Sequence, residues 1–221
     1  MHSTLRKLNI VKDKVNDIIK EKQLKTNPKI IVVTKTFSFN SIIPLLESGH
    51  IHFGENKVQE TETKWSNAKN KYKNVQLHMI GKLQSNKAKK AIQIFDYIHS
   101  LDNKRLALKL SVYQKELNKY RKYFIQINLA DESQKSGIKL SELDDFYNYC
   151  VKKLSLNVIG LMCLPPISNT QDYFRLLKEP AQKLNLTELS FGMSNDFENA
   201  VLHESTFLRL GTLIMGKRTP I

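Results

Sequence analysis

The chain has 221 residues, 41% hydrophobic and 25% charged, with two cysteines, proportions that exclude a disordered chain, a collagen-like repeat and a disulfide scaffold. No apolar run approaches the roughly 18 residues that cross a bilayer, and the opening MHSTLRKLNIVKDK lacks a signal-peptide core, so a cytoplasmic protein away from membranes is expected. The net charge of +14 would suit a nucleic-acid binder, but six arginines leave 29 lysines among the 35 basic residues, scattered over predicted helices as on solvated faces rather than gathered in a basic patch.

In chain order the first pattern is helical. Leu5, Leu8, Val11, Val15, Ile18 and Ile19 recur at helical spacing within residues 3–23 and predict an amphipathic helix outside the main repeat. From residue 29 apolar runs alternate with helical stretches. Strands are predicted over 29–35 (KIIVVTK), 50–56 (HIHFGEN), 75–81 (VQLHMIG), 97–102 (YIHSLD), 122–130, 157–165, 188–193 and 207–215. Helices are predicted between them over 39–48, 57–72, 84–94, 103–119, 141–153, 169–185 and 195–203. Apolar strands joined by helices need a parallel sheet covered on both faces. Eight such units, with no GxGxxG after the first strand, favour a closed (β/α)8 TIM barrel over an open doubly wound sheet. The expected organisation is a single domain over 1–221, with an extra N-terminal helix and no sequence after the eighth strand for a second domain.

A β/α barrel carries its site at the carboxyl ends of its strands, so the polar residues closing each apolar run are the candidates. Lys35 ends the first run on the face of Ile31 and Val33. A lysine there is either held at the barrel mouth, where desolvation lowers an amine's pKa and makes it a nucleophile towards carbonyls, or lies in a wet loop beyond an earlier strand end. Glu55 and Asn56 end the second run. The loops after the seventh and eighth runs offer Ser194 and Thr212 as hydroxyls and Gly192 and Gly211 for close backbone approach, the place where such barrels commonly bind phosphate. Ser194 also reads as an ordinary N-cap of the helix over 195–203, which is compatible with anion binding. Arg209 lies on the face of Gly211; it either meets solvent or a carboxylate, or stands as a fixed cation beside a bound ring. His52, His78 and His99 have no ligand spacing and read as satisfied core or rim histidines rather than a metal site. Cys163, between Met162 and Leu164, reads as core, and no P-loop or G-x-S-x-G string is present.

Seven ordered motifs carry a family resemblance: VVTKT at 32–36, HFGENKVQE at 52–60, HMIGKLQSNK at 78–87, INLADESQKSGIKLSEL at 127–143, GLMCLPP at 160–166, LSFGMSNDFENAV at 189–201 and RLGTLIMGKR at 209–218. In these the chain resembles the pyridoxal phosphate homeostasis protein family (YggS/PROSC), which has the alanine racemase N-terminal type of barrel. The resemblance implies pyridoxal 5′-phosphate as cofactor, held as an internal aldimine (a Schiff base) on Lys35. It implies the phosphate on Ser194, Gly211 and Thr212 with help from the backbone around Met193, and Arg209 facing the pyridine nitrogen. It also implies Asn56 near the ring, and His78, Ile80 and Gly81 lining the pocket.

An arginine is always charged and only donates, so it cannot keep the ring nitrogen protonated, and the carbanion chemistry of the cofactor is muted. Racemases of this barrel type resemble one another in drawing a second base from an added domain, which this chain is expected to lack. The resemblance therefore implies a non-catalytic cofactor binder, a monomer that keeps free pyridoxal phosphate low and passes it to apo forms of pyridoxal phosphate enzymes. The alternative is a small pyridoxal phosphate-dependent amino-acid racemase. The chain departs from the family at Leu77, often Trp, at Lys82, often Pro, and at Phe37, often Lys, while Lys135 keeps the family's lysine in QKSG.

Overall fold

Parallel neighbours cannot be joined by a tight turn, so each of the first seven strands here is followed by a crossover that returns the chain to the same end of the sheet. The computed structural model describes residues 2–66, 68–129, 136–166 and 170–217. The strands are β1 (Lys29–Val33), β2 (His52–Glu55), β3 (Gln76–Met79), β4 (Tyr97–Leu101), β5 (Lys122–Ile127), β6 (Asn157–Cys163), β7 (Glu188–Ser190) and β8 (Phe207–Leu210). Each pairs in parallel with the next, and β8 closes on β1 through Lys29 opposite Phe207 to Val32 opposite Leu210, giving the closed eight-stranded barrel that the alternation predicts.

The helices are α1 (Ser3–Glu21), α2 (Ile43–Glu47), α3 (Val58–Trp65), α4 (Ala68–Lys71), α5 (Ala88–Ile94), α6 (Lys104–Glu116), α7 (Leu143–Asn148), α8 (Thr170–Lys183), α9 (Phe197–Leu202) and α10 (Thr212–Met215). The extra helix α1 buries Leu8, Val11 and Val15 and lies against α2, α9 and α10. Its seam follows from the periodicity. None of the described helices is long and apolar enough to cross a membrane.

Two boundaries differ from expectation in ways that shape the site. The run 207–215 is not one strand: it leaves the ladder after Leu210 and coils into α10 from Gly211. A continuous apolar run does not distinguish strand from buried helix, and the coil begins where β1, its hydrogen-bonding neighbour, is itself ending. The first strand likewise ends at Val33, although the Thr34 N–H still donates to the Gly54 carbonyl at 3.0 Å, so Lys35 is the first residue to leave the barrel wall.

The core has two compartments. The larger lies between strands and helices, with Phe53, Trp65, Phe95, Tyr123 and Phe174 all nearly inaccessible. The smaller fills the barrel lumen with Ile31, Tyr97, Phe124, Met162 and Phe207. Gly54 belongs to the lumen side, since a methyl there would meet Ile31 Cγ2 at 2.8 Å.

Candidate functional site

Alternation along β1 puts Ile31 and Val33 towards the lumen and Thr34 away from it, so Lys35 continues the lumen face at the carboxyl mouth. Neither sequence alternative holds outright: Lys35 is partly buried, on a turn just past the strand, and lines a cleft of about 610 Å³. The same cleft is lined by Asn56, Met193, Ser194, Arg209, Gly211 and Thr212. Seven of the eight residues proposed for cofactor contact therefore meet in one place, within the size range of small-molecule sites.

The phosphate-type loops are tied to each other. Ser194 does not cap α9, whose N-cap is Asp196; its Oγ instead accepts the Leu213 N–H at 3.2 Å, joining the loop after β7 to the start of α10. The Met193 N–H is not directed at the cleft either, because it donates to Asp196 Oδ1 at 2.6 Å. What the cleft presents from this side is the Ser194 and Thr212 hydroxyls and the first turn of α10, together with Met193, Asn195, Asp196 and Asn199. Gly192 has φ 89°, and a methyl on it would lie 2.4 Å from the Ala200 Cβ, so only glycine brings the β7 loop this close to α9.

Arg209 meets no carboxylate among the described residues. Only 4% exposed, it donates through Nη1 to the Ser190 carbonyl (2.6 Å) and Oγ (2.8 Å) and through Nη2 to the Cys163 carbonyl (2.9 Å). Burial lowers its pKa from the ordinary value, opposed by Cys163 and Asp196. With these acceptors at its base, the guanidinium is fixed and its remaining face lines the cleft.

His78 is the residue that the structure does not bring to the cleft. It is fully buried one layer below and belongs to a hydrogen-bonded file: His52 Nδ1 to His78 Nε2 (3.0 Å), His78 Nδ1 to His99 Nε2 (2.9 Å), and His99 Nδ1 to Ser190 Oγ (2.9 Å). Arginine can only donate, so Ser190 accepts from Arg209, and its own hydroxyl hydrogen can pass to His99. The arrangement that satisfies every member then has each neutral ring donating to the next, ending at His52. Tyr97 stacks on His78 at 4.3 Å and Phe124 on His99 at 4.2 Å. Burial first, then neighbouring positive groups, pushes His78 and His99 well below the usual histidine range, and His52 down to about 4.

Glu55, a strand-end candidate in the sequence, anchors a second polar group on the outer side of Lys35 whose other members, Thr34, Glu60, Lys64 and Trp65, the sequence did not single out. Glu55 Oε1 accepts from Thr34 Oγ1 (2.7 Å), Lys64 Nζ (3.0 Å) and Trp65 Nε1 (3.1 Å); Lys64 also donates to the Thr34 carbonyl (2.8 Å), and Glu60 Oε1 accepts the Thr36 N–H (2.7 Å). The available signal was the i, i+4 spacing of Glu60 and Lys64 on the helix that follows the second strand. Ile80 lines the cleft, whereas Gly81 faces an adjoining hollow and abuts the Asn56 backbone. Lys135 and Arg218 lie outside the described residues.

Among known proteins, residues 14–219 match the family model described as "Alanine racemase, N-terminal domain". The chain is 36% identical over 200 residues to the "Pyridoxal phosphate homeostasis protein" of Synechocystis sp., covering 86% of this chain and 91% of that one. It is 31% identical over 223 residues to the protein of the same name from Haemophilus influenzae, covering 96% and 94%. Among solved structures it is similar to PipY of Synechococcus elongatus with PLP bound, at 31% identity and TM-score 0.78, over 91% of this chain and 100% of that one. Alanine racemase of Clostridium difficile shares the fold, with TM-score 0.71 at 12% identity, over 96% of this chain and 56% of that one.

Proposed function

The chain belongs to the pyridoxal phosphate homeostasis protein family, within the alanine racemase N-terminal domain type, and we propose that it binds pyridoxal 5′-phosphate through Lys35 to hold and release the cofactor. The observation that carries this reading is the convergence on one cleft of Lys35, a caged Arg209 and the two loops bearing Ser194 and Thr212. A further fit comes from Asn56 Oδ1, a buried acceptor without a partner among the described residues, on the lining of the same cleft.

When bound, pyridoxal phosphate supplies a reactive aldehyde and an electron-withdrawing ring. Lys35 offers the amine for the aldehyde. Ser194 and Thr212, with the backbone at Gly211, hold the phosphate, and Asn56 orients the ring edge. Arg209 faces the ring nitrogen as a permanent donor, which leaves that nitrogen unprotonated and withholds the strongest form of carbanion stabilisation. The protein in this reading is a binder rather than an enzyme, a cytoplasmic monomer of one domain that lowers the free aldehyde and passes it to apo forms of pyridoxal phosphate enzymes.

The test is an absorption titration of the purified protein with pyridoxal phosphate, followed by borohydride reduction and peptide mapping. Wild type should gain a band near the visible edge and carry the reduced cofactor on Lys35, and Lys35→Ala should do neither. Uptake without any covalent product, or an equal yield from Lys35→Ala, would overturn the assignment of Lys35. A racemase would in addition exchange the α-proton of alanine or serine, and exchange at a useful rate would displace the binder reading.

A further inference from the structure

The turn that presents Lys35 is built against the preference of its own residues. Phe37 donates its N–H to the Thr34 carbonyl at 3.1 Å, closing a four-residue turn in which Thr36 takes the third position with φ 69°. Positive φ at that position is the mark of a type II turn and normally falls to glycine or asparagine. For a β-branched residue it is a strained conformation. The common type I turn needs no positive φ and differs by turning over the peptide between the second and third residues, here Lys35 and Thr36.

One contact from α3 opposes that relaxation directly, and a second side chain of the same helix holds the carboxylate that makes it. Glu60 Oε1 accepts the Thr36 N–H at 2.7 Å, and turning the peptide over would point this N–H away from it. Lys64 Nζ, on the next turn of the helix, donates to the Thr34 carbonyl at 2.8 Å and is itself fixed by Glu55 and Glu60. Burial raises the Glu60 pKa, but the Thr36 N–H and the Lys64 ammonium outweigh it and hold the carboxyl below its ordinary value. None of Glu55, Glu60 and Lys64 lines the cleft, so they reach it only through the backbone on either side of Lys35.

We propose that Glu60, supported by Lys64, is a positioning residue that selects the strained turn and so aims the Lys35 amine into the cleft. The inference rests on the reading of Lys35 as the residue that takes the aldehyde. In that reaction the Lys35 nitrogen lone pair adds to the aldehyde carbon, the carbonyl pair moves to oxygen, and proton transfer releases water to leave a C=N bond. Only the addition geometry depends on Glu60.

The experiment compares the rate of the absorbance change on mixing with pyridoxal phosphate against affinity for 4′-deoxypyridoxine 5′-phosphate, which has a methyl group in place of the aldehyde. Lys64 is nearly inaccessible and its replacement threatens folding, so the variants are made at the more accessible Glu60. Glu60→Ala should react roughly ten- to a hundredfold more slowly while binding the deoxy analogue like wild type. Glu60→Gln, which keeps an oxygen acceptor, should react near the wild-type rate. Adding Thr36→Gly to Glu60→Ala should restore the rate, because glycine holds positive φ unaided. In the protein without cofactor, the acylation rate of Lys35 by acetic anhydride, read by peptide mapping, should change in Glu60→Ala and return with Thr36→Gly. An unchanged acylation rate, a wild-type reaction rate in Glu60→Ala, a parallel loss of analogue affinity, or no rescue by glycine would each overturn the proposal. Wild type that traps the cofactor on another lysine would instead overturn the assignment of Lys35, with the acylation result still deciding the role of Glu60.

Discussion

Mild acid should loosen this barrel through its histidines. His50, just before β2, has its pKa lowered from 6.5 to about 4, first by burial and then by Lys12. His52 is likewise lowered to about 4 by burial, Lys29 and Lys122, and His78 and His99 lie well below 6.5. In the unfolded chain each ring takes its proton as the pH falls through about 6.5, whereas the folded rings resist to about 4 or lower. The unfolded state therefore binds more protons across that interval, so stability is complete above about pH 7 and declines towards pH 4. At pH 5 a single ring with those two values costs at most about 2 kcal/mol. His52, partly open to solvent, contributes less than that ceiling, and the two enclosed rings add in the same direction. Urea unfolding followed by the fluorescence of Trp65, the single tryptophan, at pH 7, 6 and 5 would measure the effect. The midpoint should fall stepwise with little change in slope, and His50→Gln should recover part of the loss at pH 5 without altering the value at pH 7. A midpoint constant from pH 7 to pH 5 would refute the reasoning.

Two substitutions test the supports of the cleft. In Gly81→Ala the new methyl would lie 2.5 Å from the Asn56 carbonyl oxygen and 2.8 Å from its Cα, so Asn56 must move. Affinity for 4′-deoxypyridoxine 5′-phosphate, measured by calorimetry, should drop about tenfold, near 1.4 kcal/mol. Ser190→Ala removes the acceptor of one Arg209 contact and the partner of His99 Nδ1 at the fully buried end of the file, and should cost about 1–3 kcal/mol in urea unfolding. The Arg209 contact to the Ser190 carbonyl survives, so affinity for the analogue should change less than stability.

The barrel was legible because its signal repeats: apolar runs such as IIVV at 30–33 and helical stripes such as Leu8, Val11 and Val15 are local and periodic. Strand ends were not, since they depend on when a neighbour stops offering hydrogen bonds, and this is why 207–215 split at Gly211. Most of the cleft could be read from strand-end polar residues and from family motifs. His78 could not be placed, because being on the lumen face does not say at which layer a side chain lies, and its layer is the one its two histidine neighbours occupy. Ser194 read as a cap because its hydroxyl lies before a helix; its partner, the Leu213 N–H, is 19 residues away and has no local trace. The Glu60–Thr36 contact escaped for the same reason, joining a helix to a turn on the preceding strand.

The closing seam between β1 and β8 also has a bearing on how the molecule comes into being. Ile30 pairs with Leu208, and α1 rests on α9 and α10, so the earliest elements of the chain wait for the latest. At ribosomal rates of about 5–20 residues per second, the interval from the end of α1 to the emergence of α10 is roughly 10–40 s. For that time β1 has an open edge and α1 an apolar stripe that only α2 can partly cover, the two features that most invite association between nascent chains. Closure is then a late, long-range event of the kind that makes parallel topologies slow to fold. The yield of soluble protein should therefore be set less by the stability of the finished barrel than by how well those two surfaces are shielded until Phe207–Met215 arrives.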